Sequence, residues 1–93
     1  MSGLNHTDMF EDYLLVRTNR HQVQPKVYNE VRLVAKTGEE ILATITSVNL
    51  GLKRFDCRVL DIKPRNALFP EHLDNISFTK IRFLYEQGKG LLP

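Results

Sequence analysis

The residues that could carry out chemistry are few, and they are scattered along the chain. The histidines are His6, His21 and His72, and the single cysteine is Cys57. Apolar residues alternate around Cys57, which points its thiol into a predicted core, and no histidine is expected beside it to act as a base. A single cysteine also excludes an internal disulfide and a multi-thiolate zinc site. We therefore expect no catalytic residue, no metal and no cofactor.

Two other kinds of reactive site are also not predicted. Asp56 and Asp61 belong to one predicted strand, but their odd spacing places them on opposite faces, so they cannot form a carboxylate pair. Gly88 and Gly90 follow the last predicted strand and do not open a helix, as a phosphate-binding loop would require. The sequence therefore indicates a protein that is not an enzyme.

The net charge of the chain is compatible with RNA binding but does not indicate it. Thirteen lysines and arginines stand against eleven aspartates and glutamates, a formal net charge of +2. Nucleic-acid binders usually have a stronger and more clustered positive field. A basic stretch runs from Arg17 to Lys36 and is opposed only by Glu30. It is either a solvated basic face or a track for phosphates.

The length of the chain limits its organisation. Ninety-three residues, 42% of them hydrophobic, suffice for one small domain. No apolar run approaches the roughly 20 residues that span a bilayer, and the first residues lack the features of a secretory signal. We expect a loose tail at residues 1–7, one domain at 8–86 and a flexible end at 87–93. An intracellular protein without membrane contact follows.

Two elements at the start of the domain have clear signals. A short helix is predicted over roughly Asp8 to Arg17, because Asp8 and Glu11 have the spacing of a capping box. A β-hairpin is predicted after it, with a polar turn in which Gly38 is available for positive φ. Its strands alternate between polar residues and a buried face that carries Val31, Leu33, Ala35, Ile41, Ala43 and Ile45.

Three further strands are predicted. The third alternates through Phe55, Cys57 and Val59. The fourth covers Ala67 to Leu73, where Pro70 confines it to an edge or bends it. The last covers Ile76 to Tyr85, with a turn or bulge at Thr79 and Lys80. A sheet this small encloses a core only by curling, so we predict a mainly β fold, a small and strongly bent five-stranded barrel behind a short N-terminal helix.

The hairpin resembles the first motif of the Sm and Sm-like proteins. In that family a turn glycine is followed by a small residue, an aliphatic residue, an apolar residue and an aspartate at fixed spacing. The corresponding positions here hold Gly38, Ala43, Ile45, Val48 and Asn49. A small residue is needed where the second strand bends sharply. The resemblance implies an Sm-like, SH3-type barrel for most of residues 8–85.

The RNA-binding positions of that family are mostly changed in this chain. The RNA-binding members have an aspartate and an asparagine in the loop after strand two, and this chain has Asn49 and Lys53 at those positions. Ser77 and Phe78 stand where the second motif of the family has an arginine–glycine pair. RNA readout by stacking needs a planar side chain and open backbone in that loop. An alternative nevertheless stays open, in which Asn49, Lys53 and Arg54 bind RNA in a homomeric Sm-like ring.

An Sm barrel without this loop chemistry is similar to the Gemin subunits, the sixth and seventh, of the SMN complex. That resemblance implies a non-catalytic scaffold that pairs with another Sm-fold protein as a heterodimer. The pair would act within the cytoplasmic and nuclear complex that assembles small nuclear ribonucleoproteins for splicing. Sm folds pair through the edges of strands four and five. The predicted interface residues are Leu68, Phe78, Ile81, Phe83 and Tyr85, some of which could instead fill a monomer core.

A further alternative comes from a different class of protein. Arg17 and Arg20 precede the predicted barrel, an arrangement that resembles the PilZ domains, which bind cyclic dinucleotides. In that family the arginines are separated by three residues rather than two, and a serine stands at the position of Val48. A bacterial Sm-like regulator of transcription is also compatible with the sequence.

Overall fold

The computed structural model describes residues 5–13, 24–86 and 90–91, and it places their strands in one antiparallel sheet. The order across the sheet is β4-β3-β2-β1-β5-β6. The strands are β1 (Glu30–Val34), β2 (Glu40–Asn49), β3 (Arg54–Lys63), β4 (His72–Ser77), β5 (Phe83–Glu86) and the short β6 (Gly90–Leu91). Short 3-10 turns lie at Thr7–Met9 and Phe78–Lys80. The fold is mainly β, as predicted.

The β1–β2 hairpin confirms the predicted alternation. The six residues assigned to its inner face are all buried. Gly38 lies in the turn at φ 104°, a region that side chains other than glycine rarely adopt. These inner residues form the core together with Phe10, Phe55, Cys57, Leu73, Ile76, Ile81 and Leu84.

The sheet bends without closing into a barrel, which corrects the predicted barrel. The β2–β3 ladder changes register at two places, between Leu42 and Ala43 and between Ile45 and Ser47. Such bulges increase the local twist, so the two ten-residue strands curl around the core. However, β4 and β5 lie on opposite sides of the three central strands and do not pair with each other.

The predicted helix over Asp8 to Arg17 is wrong in the part that the structure describes. Its start is only the 3-10 turn Thr7–Met9, and Phe10 is extended and bridges Ala35. An isolated helix of about ten residues is marginal in water, whereas the extended chain buries Phe10 completely. The rest of the predicted helix lies outside the described residues.

The last two predicted strands have different limits from those expected. Residues 64–71, including Pro70, form a loop, so β4 begins at His72 rather than at Ala67. The predicted strand from Ile76 to Tyr85 is interrupted by the second 3-10 turn. The Ser77 hydroxyl accepts a hydrogen bond from the Thr79 amide at the start of this turn, which ends β4.

Residues 5–13, the N-terminal strap, lie across the opening between β1 and β4. At one end the Glu11 amide donates to the Val34 carbonyl, on the same side of β1 that β5 occupies further along. At the other end the His6 amide donates to the Asp74 carbonyl of β4. The strap therefore spans the gap that strand pairing leaves open.

Candidate functional site

The outer side of β5, which the two-residue β6 covers only in part, is one of two places where a partner strand could add. On its inner side β5 pairs with β1 along Phe83, Leu84 and Tyr85. On its outer side β6 pairs with Tyr85 and Glu86. The outer side of β5 is therefore only partly open. Among the described residues, Phe83 and Leu84 have no strand partner on the outer side.

The five predicted interface residues do not form one patch. Ile81 is completely buried in the core, and Phe78 is half-buried with its ring 6.3 Å from that of Phe55. Leu68 is 93% exposed, but it lies in the loop between β3 and β4. Phe83, which is 39% exposed, and Tyr85 share the outer face of β5 because Leu84 between them points inward.

An arginine beside this face was missed by the sequence reasoning. Arg82 lies just before β5, with its guanidinium carbon 5.2 Å from the ring centre of Phe83 and 5.6 Å from that of Tyr13. Both distances are within the range of cation–π contacts. The outer face of β5 is thus continuous with the strap through Arg82. Tyr13 and Arg82 are far apart in the sequence, so no local sequence pattern predicts their contact.

The outer edge of β4 is the other sheet end, and the strap covers part of it. The Asp74 carbonyl accepts from the His6 amide at 3.0 Å, and the Asp74 amide donates to His6 Nδ1 at 2.8 Å. The Ser77 amide donates to Thr7 Oγ1 at 3.0 Å. His6 was predicted to belong to a loose tail. Instead its ring accepts a main-chain hydrogen bond.

A buried lysine fixes the inner end of the strap. Lys80 Nζ lies 3.0 Å from Asp12 Oδ1 and donates to the Phe10 carbonyl, also at 3.0 Å. The hydroxyl of Thr79 donates to the same Asp12 oxygen at 2.9 Å. The hydrogen bond from Lys80, followed by that from Thr79, holds the pKa of Asp12 below its ordinary value. The strap is thus tied to the turn that follows β4.

A polar groove contains two of the three predicted RNA-binding residues. It encloses about 140 Å³, and it is lined by Ser47, Asn49, Arg54, Phe55, Asp56 and Asn75. Arg54 Nη1 donates to the Asn75 carbonyl at 2.7 Å, and Asn49 Oδ1 accepts from the Leu52 amide at 3.0 Å. Lys53 is exposed beside the groove, at φ 56°. The groove therefore brings Asn49 and Arg54 together, with both side chains engaged by the main chain.

Other kinds of site find no support among the residues that the structure describes. These residues contain no group of three or more histidine, cysteine and acidic side chains that could hold a metal. Burial, and then the charges of Asp56 and Asp74, raise the pKa of the Cys57 thiol to about 12. No helix in the described ranges is long and apolar enough to cross a membrane. Arg17 and Arg20 lie outside them.

Comparison with other proteins adds no family to these observations. No family model, curated protein or solved structure matches this chain. What the protein does has to be inferred from the two sheet ends and the groove.

Proposed function

We propose that this protein is a non-catalytic Sm-fold scaffold subunit that pairs edge to edge with another Sm-fold protein during assembly of small nuclear ribonucleoproteins. The observation that carries the proposal is the strand order, which leaves β4 and β5 at opposite sides of the central strands without a mutual ladder. Main-chain groups at such edges favour the addition of a further strand.

The end at β5 supports a specific contact with a partner. The Ile45 amide donates to the Asn29 carbonyl, so alternation along β1 turns Glu30 and Arg32 toward β5, where they lie opposite Tyr85 and Phe83. The main chain of Leu84 therefore faces away from β1. Phe83 also presents an aromatic ring that is 39% exposed. A partner strand would gain affinity from the main chain and specificity from this ring, since buried aromatic side chains dominate many interfaces.

Site-specific cross-linking tests the pairing. A photoreactive phenylalanine analogue at position 83 is expected to cross-link, in the native cell, to a residue on a strand edge of an Sm-fold protein. Phe83→Asp should abolish co-purification of that protein, because it places a charge at the centre of the interface. Leu50→Asp is the matched control, since Leu50 is exposed in the turn after β2. Cross-links to unrelated folds alone, or equal co-purification with both variants, would contradict the proposal.

The groove favours a second candidate, an Sm-like protein that binds RNA as a homomeric ring. Asn49 and Arg54 line it and Lys53 is adjacent, which places two positive charges beside polar groups. Light scattering should then detect a hexamer or heptamer that binds uridine-rich RNA. Lys53→Ala should lower the salt slope of binding by about 1, the loss of one phosphate contact. Arg58→Ala is the control, since Arg58 is exposed on β3 and does not line the groove.

A further inference from the structure

We infer that Arg32, Arg82 and Phe83, the arginine–phenylalanine cluster, bind an acidic segment of a protein partner. A carboxylate of that segment pairs with the two guanidinium groups, and an apolar residue next to it contacts the ring. This site goes beyond the proposed function, because it concerns the side chains of the partner and not the partner's fold. It uses the face of the sheet at β5, whereas strand addition uses the main chain along the edge.

The two arginines flank Phe83 on the outer face of the sheet. Arg32 lies directly opposite Phe83 in the β1–β5 ladder, and residues that are directly opposite in an antiparallel pair share a face. The Arg82 amide donates to the Arg32 carbonyl at 2.9 Å, and the Arg82 guanidinium carbon lies 5.2 Å from the centre of the Phe83 ring. The cluster therefore combines two cations and one aromatic ring at the surface.

Both charges of the cluster lack an acidic partner in the part of the chain that the structure describes. The ion pairs found there join Lys63 to Asp61 and Lys80 to Asp12, so neither guanidinium of the cluster takes part in one. A carboxylate placed between the two guanidinium groups would gain charge-assisted hydrogen bonds, which are stronger than those between neutral groups. Charge complementarity therefore favours an acidic ligand.

Arg82 is held in position before a ligand arrives. Its guanidinium carbon lies 5.6 Å from the centre of the Tyr13 ring, in addition to the contact with Phe83. Tyr13 is itself fixed, since its amide donates to the Thr79 carbonyl at 2.6 Å. A guanidinium that is already packed against rings loses less conformational entropy on binding. Its planar fork of N–H groups matches the two oxygens of a carboxylate.

The cluster fits one carboxylate better than a chain of phosphates. A nucleic-acid strand carries one negative charge per nucleotide and needs a basic surface that continues along it. Here the neighbouring row of the same face places Glu30 opposite Tyr85, so a negative charge follows directly after the cluster. Phe83, which is 39% exposed, offers an apolar contact beside the two cations. An acidic peptide segment with an apolar neighbour matches this arrangement.

A short peptide tests the site in the full chain. The probe is a hexapeptide of alternating glutamate and leucine with blocked ends, and the same peptide with glutamine in place of glutamate is the control for charge. Titration into the isotope-labelled protein, followed by NMR, should shift the side-chain Nε–H signals of Arg32 and Arg82. The glutamine peptide should bind about tenfold more weakly or less, because it cannot form a charge-assisted contact.

Variants of the protein locate the binding. Arg82→Met removes the donors and keeps an apolar contact with the rings, and it should lower the affinity for the glutamate peptide about tenfold. Arg82→Lys keeps the charge without the planar fork, so its affinity should lie between those of Arg82→Met and the wild type. Arg58→Met is the matched control and should bind as the wild type does. Arg58 is exposed on β3, with β2 and β1 between it and β5.

The outcomes that would overturn the site are distinct. Absence of binding, or equal binding of the two peptides, would overturn the acidic ligand, and equal losses in Arg82→Met and Arg58→Met would overturn its location. Displacement of the glutamate peptide by a lower concentration of a single-stranded oligonucleotide would indicate a nucleic-acid site instead. Failure of the proposed function has a different signature, because cross-linking at position 83 would then find no Sm-fold protein while the glutamate peptide still binds.

Discussion

The Lys80 ammonium donates to the main-chain carbonyl of Phe10 over 3.0 Å, from a side chain that is only 9% exposed. A buried charge is costly unless it is paired and hydrogen-bonded. Here Asp12 supplies the pairing at 3.0 Å. One cation therefore holds two points of the N-terminal strap against the turn that follows β4, although Phe10 and Lys80 are 70 positions apart in the sequence.

Replacing Lys80 with methionine should destabilise the fold by about 1–3 kcal/mol, because the Phe10 carbonyl loses its donor. Urea unfolding followed by circular dichroism gives the free energy of unfolding. Lys63→Met is the matched control, since the Lys63 side chain is 79% exposed and lies 4.0 Å from Asp61. An exposed pair of this kind contributes at most about 1 kcal/mol. Equal losses in the two variants would contradict a structural role for the buried ammonium.

Acid should weaken the fold through Asp12. Its folded pKa lies below the ordinary value of 3.8, first because Lys80 and then because Thr79 donates to the carboxylate. Stability from this group is therefore complete above that value and is lost as the pH falls through the lower folded pKa. In urea unfolding from neutral pH to about pH 2.5, Asp12→Asn should lose less stability with acid than the wild type does. Asp8→Asn is the control and should keep the acid sensitivity of the wild type.

The parts of the fold that were predicted correctly depend on neighbours in sequence. The β1–β2 hairpin follows from a two-residue alternation and a turn glycine, both of which are visible within the segment itself. Local pattern and tertiary structure agree in this hairpin. Asn49 and Arg54, candidate RNA-binding residues around one turn, line one groove, and their binding of RNA stays a prediction.

The parts that were missed depend on contacts between distant residues. Phe10 is extended and bridges Ala35, and the His6 ring accepts a hydrogen bond from the Asp74 amide. Neither pairing leaves a periodic signal, whereas the capping-box spacing of Asp8 and Glu11 is local and predicts a helix. The end of β4 is not predictable for a different reason. It depends on one hydrogen bond, from the Thr79 amide to the Ser77 hydroxyl.

The turn between β1 and β2 should depend on Gly38. Its φ of 104° lies where a side chain causes strain, although an added Cβ would meet no atom within 4 Å. Gly38→Ala should therefore destabilise the fold by about 1–2 kcal/mol through the backbone alone. Gly51→Ala is the control, since the new Cβ would make an ordinary contact of 3.5 Å with Asn49 Oδ1 and needs no positive φ. Thermal unfolding of both variants distinguishes conformational strain from a general cost of adding a methyl group.

The Cys57 thiol should stay unreactive as long as the protein is folded. The side chain lies in the core at 1% exposure, and burial raises its pKa to about 12, so almost no thiolate is present at neutral pH. Since the thiolate is the reacting species, iodoacetamide should modify the protein only through its unfolded population. The labelling rate, measured by mass spectrometry in increasing urea, should then follow the fraction unfolded. Lys80→Met should raise this rate in water, since it increases the unfolded population, while Lys63→Met should not. Rapid labelling of the folded wild type would show that the β3–β4 side of the core opens locally.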